Sequence, residues 1–481
     1  MASHNIKIHD HCRVSPPPST PETSLPLTFF DAFWLRFHPV ERIFYYTLPA
    51  PLSHPSTFLT QLLPTLQTSL SHTLRHFPHL AGNVVWPSHS PNPLVKYTPG
   101  DAVSLAVALS QSDFHHSLDN SPRHASDSRA FIPHLESSSS HAQALSLQIT
   151  LFPDRGFAIA ITTHHAVLDG KSSTLFLKAW SSLCKTINES KSPSNAPPPL
   201  AKEFQPFFDR NVIKPASELG LDLSLDMSEL LIKFFPHENT DGRCLKLLPF
   251  PPRVDGAARA TFVLTRADLE RLKRRVLSKW DTEPEPQSKS KYFSKPATLS
   301  SFVVTTAYAL VCVARAVHGV EPGRDKFGLG FTVDCRARME PPVPDNYFGN
   351  CVWGLMVNAE PSDFVKEEGV VAIAKSIHGK IKEISEEGVF CDSNLSSKYE
   401  AWIKGGVEIF GIAGSNRFGV YGTDFGWGKP AKVEIPSVDR GLTIGLAESK
   451  DEKGGVEVGL VLDKDVMNLF ATLFRGGLLD E

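Results

Sequence analysis

The 481-residue sequence shows no cysteine pairing pattern. Its seven cysteines, Cys12, Cys184, Cys244, Cys312, Cys335, Cys351 and Cys391, are scattered and odd in number, and no CxxC occurs. That argues against a disulfide framework or a zinc ribbon and fits a reducing compartment. A surplus of one charge is also missing. With 49 basic and 52 acidic residues the net charge is −3, so no basic field points to nucleic acid or an anionic membrane. No run of ~18 apolar residues stands ready to span a bilayer. The first residues, Met1-Ala2-Ser3-His4-Asn5-Ile6-Lys7, lack the apolar centre of a signal peptide. The expectation is a cytosolic protein.

Several chemical signatures are absent too. No GxGxxG follows a strand, so no dinucleotide-binding domain is expected. No GxSxG elbow is present, which disfavours a serine hydrolase. His164 and His165 belong to no HExxH and have no evident third ligand, so no metal is expected. Gly170-Lys171-Ser172 matches the end of a phosphate-binding loop. The glycine that loop requires five residues before Gly170 is replaced here by His165.

What is present reads as a globular protein, with 41% hydrophobic and 21% charged residues. A single core rarely exceeds ~250–300 residues, so two domains are expected, 1–200 and 201–481. The polar, proline-rich stretch 188–199 reads as an exposed crossover, and 282–291 and the serines at 137–140 as surface loops. Phe58, Leu62, Leu63, Leu66, Leu70 and Leu74 form a helical stripe that Pro64 breaks or kinks. Leu145, Leu147, Ile149 and Leu151 alternate with polar residues as in a half-buried strand. Pro153-Asp154-Arg155-Gly156 then turns the chain into an apolar strand, 157–162. In the second half, strands are expected at 260–264, 327–333, 442–447 and 456–462. Helices are expected at 266–280, 299–313 (opened by Thr298 or Ser300) and 463–474. The class is α/β or α+β with mixed sheets, and two similar lobes are plausible.

The most informative stretch is His164-His165-Ala166-Val167-Leu168-Asp169-Gly170, at the mouth of a strand-to-helix turn. A histidine there is held by the sheet yet can face a cleft, where a neutral imidazole serves as a general base near pH 7. The ordinary reading of a lone buried histidine is that it satisfies a backbone carbonyl. Two adjacent histidines and a following Asp-Gly turn shift the balance. Alternation at a strand end directs His164 and His165 to opposite sides, so one faces a cleft and the other anchors the loop. Asp169 is either a catalytic partner, as in a Ser-His-Asp triad, or a structural residue that holds the turn through a buried arginine. A second motif, Asp424-Phe425-Gly426-Trp427-Gly428-Lys429-Pro430, sets two glycines around a tryptophan and reads by itself as a packing corner or a site wall. Its letters DFG occur in kinases, but no HRD or glycine-rich loop accompanies them.

Together, His165-xxx-Asp169 and Asp424-Phe425-Gly426-Trp427-Gly428 resemble the BAHD family of plant CoA-dependent acyltransferases. Further family-like segments stand in matching order: Leu25-Pro26-Leu27-Thr28-Phe29-Phe30-Asp31, His79-Leu80-Ala81-Gly82-Asn83 and Tyr347-Phe348-Gly349-Asn350-Cys351. The likeness runs from about residue 7 to about residue 476. Tyr347 to Cys351 resembles the clade that acylates anthocyanin and flavonoid glycosides, often with malonyl groups. Cys12 to Pro17 and Phe37 to Arg42 look like (iso)flavonoid glucoside malonyltransferases of legumes.

The resemblance implies two similar chloramphenicol-acetyltransferase-like domains of mixed α/β structure, with the active site in a channel between them. It implies a monomer that binds acyl-CoA and a phenolic glucoside, and no cofactor beyond malonyl-CoA or another acyl-CoA as co-substrate. His165 would be the base, His164 its support, and Asp169 and Gly170 the turn. Asp169 would be braced by Arg336 or Arg338. The indole N–H of Trp427 would hold the oxyanion, or else backbone amides near Gly426, with Asp424 beside them. Lys171, Arg42 and Arg417 are candidate cations for a malonyl carboxylate, each equally readable as a surface charge. Ser300, Ser301 and basic residues of the helix 266–280 are candidates for CoA. Two other readings remain: a hydroxycinnamoyl-CoA transferase acting on the same acceptors, and a non-catalytic relative that binds acyl-CoA or a phenolic.

Overall fold

The structure, a computed structural model, describes residues 6–90, 92–190, 198–219, 243–248, 252, 255–282, 291–319, 326–358, 361–366, 368–391, 398, 401–402 and 404–478. The expected crossover at 188–199 and the loop 282–291 lie largely outside these residues.

Two large mixed sheets organise the chain. The first has six strands in the order Ile6–Val14, Val103–Ser110, Leu145–Phe152, Gly156–Thr163, Val40–Thr47 and Lys432–Glu434. The second has seven, in the order Val352–Asn358, Lys326–Asp334, Val407–Ser415, Thr443–Glu448, Val456–Asp463, Ala257–Leu264 and Arg123–His124. Each sheet thus ends on a strand borrowed from the other half of the chain. The two borrowed strands are tied directly: Arg123 pairs with Glu434 in a buried ion pair, and Ser128 Oγ donates to Glu434 Oε2 at 2.9 Å. A division at residue 200 therefore separates most of each lobe but not its edge strand.

The hairpin expected before the histidines is present. Leu145–Phe152 pairs antiparallel with Gly156–Thr163, and Asp154 takes a left-handed backbone (φ 61°) in the turn between them. The alternation at 145–151 suggested one wet face, but both faces are buried. One side carries Leu145, Leu147, Ile149 and Leu151 into the core with Leu66, Leu70 and Trp180. The other is roofed by residues 114–133: Gln148 Nε2 donates to Ala130 O (3.2 Å) and Thr162 Oγ1 to Pro133 O (2.9 Å). Hydrogen bonds to that roof let polar residues sit inside, so their alternation misreports exposure.

The leucine stripe forms a π-helical turn, Phe58–Leu62, followed by the α-helix Leu63–His76. Pro64 follows directly on the π turn, where Leu63 N reaches back to Phe58 O, so helical backbone runs on past the proline with a shifted hydrogen-bond register. The helix packs on Gly170–Glu189, the long helix that follows the histidine turn. In the second half, Ser301–His318 is capped by Ser300, whose Oγ accepts from Val303 N (3.2 Å). This helix is long and apolar enough to cross a membrane by composition, a run that sequence inspection did not expect. It is mostly buried among Gly369–Glu387 and Lys464–Gly476, as a core helix is.

Candidate active site

Strand Gly156–Thr163 delivers both histidines just past its last residue. His164 closes the turn on itself. Its N donates to Ala144 O (2.9 Å), its O accepts from Val167 N (3.0 Å), and its ring Nδ1 accepts from Ala166 N (3.2 Å). The ring is fully buried, and burial pushes its pKa down to about 4. His165 is half-buried as a residue. The ring stacks flat on Trp34 (centroids 3.9 Å apart, planes 5° apart) and meets Phe37 edge-on. Burial drives its pKa down to about 3, with His38 and His164 adding to the shift, so it is neutral at pH 7. Its Nδ1 is buried with no hydrogen-bond partner.

Asp169 turns away from His165. It is the N-cap of Gly170–Glu189, with Oδ1 accepting from Ser172 N (2.8 Å). Its Oδ2 accepts from Cys351 N (3.2 Å) and pairs with Arg336 Nη2 (2.9 Å). Arg336 Nη2 also donates to Tyr347 O (3.0 Å) and Gly349 O (3.2 Å). Both carboxylate oxygens are therefore occupied, and among the described residues no hydrogen bond joins Asp169 to His165. The triad reading is excluded, and of the two arginines considered it is Arg336 that holds the brace. Gly349 is favoured here because its φ of 154° is one that residues with a side chain rarely adopt.

The second motif stands far from the histidine, which corrects the catalytic reading of Asp424 and Trp427. Asp424 Oδ2 pairs with Lys185 Nζ (2.8 Å) near the far end of Gly170–Glu189. At 1.5 Å per residue, Lys185 is ~22 Å along that helix from Gly170. Trp427 meets Phe157, at the opposite end of the strand from His165. The backbone amides are unavailable as well, since Gly426 N (2.9 Å) and Gly428 N (3.0 Å) both donate to Asp424 Oδ1. The motif is a knot that fastens the C-terminal half to the long helix.

The candidate cations separate clearly. Lys171 is held by Asp334 (3.2 Å) and Asp345, so its charge is already matched. Arg417 is exposed. Ser300 and Ser301 lie at the start of Ser301–His318, and among the described residues no hydrogen bond or ring contact joins them to the histidine turn. Arg42 is different. It is buried, donates to Thr174 Oγ1 (2.8 Å) and lies beside the Phe418 ring. Among the described residues no carboxylate comes within ion-pair distance of it. Burial lowers its pKa to about 10, with Glu448 and Asp169 acting only from farther off. A Cβ on Gly170 would meet the Phe418 ring at 2.7 Å and Arg42 Nη2 at 3.1 Å, so glycine lets both pack against the turn.

Sequence reading missed two neighbours of His165, Trp34 and Asn350, and Asp31 behind Asn350. Asn350 Nδ2 donates to His165 O (2.8 Å) and to Asp31 Oδ1 (2.8 Å). Asp31 and Asn350 stood in family-like segments, but only the fold shows that these meet.

The family model described as the Transferase family matches residues 4–242 and 251–475. Phenolic glucoside malonyltransferase 1 of Arabidopsis thaliana is 39% identical over 488 residues, covering 98% of each chain. Malonyl-CoA:anthocyanidin 5-O-glucoside-6''-O-malonyltransferase of Arabidopsis thaliana is 37% identical over 486 residues, again covering 98% of each. Among solved structures, vinorine synthase shares the fold at a TM-score of 0.62 with 19% identity, covering 98% of each chain.

Two outcomes follow from this geometry. Trp427→Phe should keep kcat within about threefold of wild type while lowering Tm; a ~10²–10³-fold loss of kcat, the size expected for an oxyanion donor, would restore its catalytic reading. The buried His38, His79 and His164, with pKa values pushed down to about 4 by burial, and His165, at about 3, stay neutral in the folded state. The unfolded chain protonates them near ~6.5, so unfolding takes up protons below that pH. Thermal melts should show full stability above pH 6.5 and a falling Tm from there towards pH 4; a flat Tm across that window would contradict it.

Proposed function

The chain belongs to the Transferase family, the BAHD acyltransferases, and on that premise we propose that it transfers a malonyl group from malonyl-CoA to the 6″-hydroxyl of a flavonoid or isoflavonoid glucoside. Acyl transfer follows from the family. The malonyl donor and the glucoside acceptor are supported by full-length relatives named for those reactions. The observation that carries the donor is Arg42, a buried guanidinium with no carboxylate within ion-pair distance among the described residues. Burying an unpaired charge is costly, and an incoming carboxylate removes that cost. The donor's free carboxylate has that chemistry; acetyl and hydroxycinnamoyl groups lack it.

The reaction needs one base. A sugar hydroxyl does not ionise near pH 7, so its proton must leave as the oxygen attacks. His165 Nε2 takes that proton. The oxygen adds to the thioester carbonyl and forms a tetrahedral oxyanion. The C–S bond then breaks, and the sulfur leaves as the CoA thiol with the proton that His165 returns. No acyl-enzyme is needed. Burial keeps the ring unprotonated at pH 7 and lowers its basicity, so the base role needs groups that stabilise the protonated ring. Trp34 and Phe37 hold its plane.

The test is product mass after incubation with malonyl-CoA and a phenolic 7-O-glucoside. A malonylated glucoside is expected. Product from coumaroyl-CoA alone would select the aromatic donor, and no product from any donor would select a binding protein. Arg42→Gln should lower the kcat/KM preference for malonyl-CoA over acetyl-CoA by ~10-fold or more, as for a lost charge-assisted hydrogen bond. An unchanged preference would remove Arg42 from donor recognition.

A further inference from the structure

The mechanism leaves one demand unmet. When His165 Nε2 accepts a proton, the ring becomes an imidazolium between Trp34 and Phe37, and its Nδ1–H needs an acceptor in a largely apolar box. Asp169 cannot supply one, because its oxygens serve Ser172, Cys351 and Arg336.

Asn350 stands in the right place. It is fully buried, and both hydrogens of its Nδ2 are committed, to His165 O and to Asp31 Oδ1, each at 2.8 Å. Both partners are acceptors, so the amide has one orientation and its Oδ1 faces elsewhere. That Oδ1 is buried without a partner, as is His165 Nδ1. The ring's own backbone carbonyl and, to a lesser degree, the Asn350 side chain act on it as acceptors would, raising its basicity against the burial that lowers it.

Asp31 stands behind Asn350. Its carboxylate takes four hydrogen bonds: from Thr28 N (2.7 Å), Thr28 Oγ1 (2.9 Å), Asn350 N (3.2 Å) and Asn350 Nδ2 (2.8 Å). Burial raises its pKa, while those donors and Arg210 favour the charged form. Every contact is the kind a carboxylate accepts. A negative group drawing on one end of an amide enriches the oxygen at the other end.

We propose that Asp31 and Asn350 are positioning residues that hold His165 as the Nδ1–H tautomer, and that Asn350 Oδ1 receives the Nδ1–H hydrogen bond as the ring gains its proton. The relay performs the task that aspartate performs in a catalytic triad, with an amide interposed. Asparagine suits position 350 because a second carboxylate there would face Asp31. The proposal deepens the reading of His165 as base and rests on it.

The test uses substrate-free protein labelled with ¹⁵N-histidine, with the His165 signals assigned by their loss in His165→Gln. The wild type is expected to show a protonated Nδ1 and a bare Nε2 between pH 6 and 8. Asn350→Ala should mix the tautomers, lower the ring's pKa further and cut kcat ~10-fold or more, with the KM for malonyl-CoA within about threefold of wild type. Nε2–H in the wild type would overturn the proposal, and this reading needs no variant to fold. A folded Asn350→Ala with wild-type kcat would overturn it as well. Absence of acyl transfer by the wild type would end the reaction reading alone, and the tautomer would still decide this one.

Discussion

Asp169 and Arg336 form a buried ion pair on which the site depends. One partner comes from each half of the chain, and each does more than neutralise the other. Asp169 caps the long helix Gly170–Glu189, and Arg336 gathers the carbonyls of Tyr347 and Gly349. The pair therefore fixes the histidine turn and the 347–351 loop against each other. Losing Arg336 strands the Asp169 charge in the interior, at a cost of about 3–5 kcal/mol, whereas Arg336 without Asp169 still pairs with Asp334 (3.0 Å). With the loop so fixed, Asn350 reaches the His165 carbonyl.

The same long helix separates two tasks. Its first turn carries the brace beside His165. Near its other end, Lys185 holds the Asp424 knot. The exchanged edge strands and the Arg123–Glu434 pair bind the lobes elsewhere. The proposed base therefore sits at one end of the long helix, and the other end is fastened independently.

Much of this was legible in the sequence. The hairpin before His164, the turn at 153–156, the helix after Gly170 and the C-terminal strands follow from periodicity and turn residues, which act locally. The Asp169 brace was foreseeable because a capping carboxylate facing a distant arginine is a common solution. Three things were hidden. The buried second face of Leu145–Phe152 depends on a roof built from residues 114–133. The remoteness of Trp427 depends on helix length and on Lys185, whereas a shared motif carries no distance. Asp31 and Asn350, 319 positions apart, meet only once both lobes have folded. Long-range meeting is a property of topology, and no local pattern records it.

Everything in this account converges on one nitrogen, Nε2 of His165. Trp34 sets the ring plane, and His164 and Asp169 set the turn. The direct measurement is steady-state acyl transfer by His165→Ala, with its fold checked by thermal melting. A folded variant whose kcat falls ~10²–10⁴-fold, with the KM for malonyl-CoA near wild type, is the predicted result. A folded variant that turns over at the wild-type rate would contradict the account.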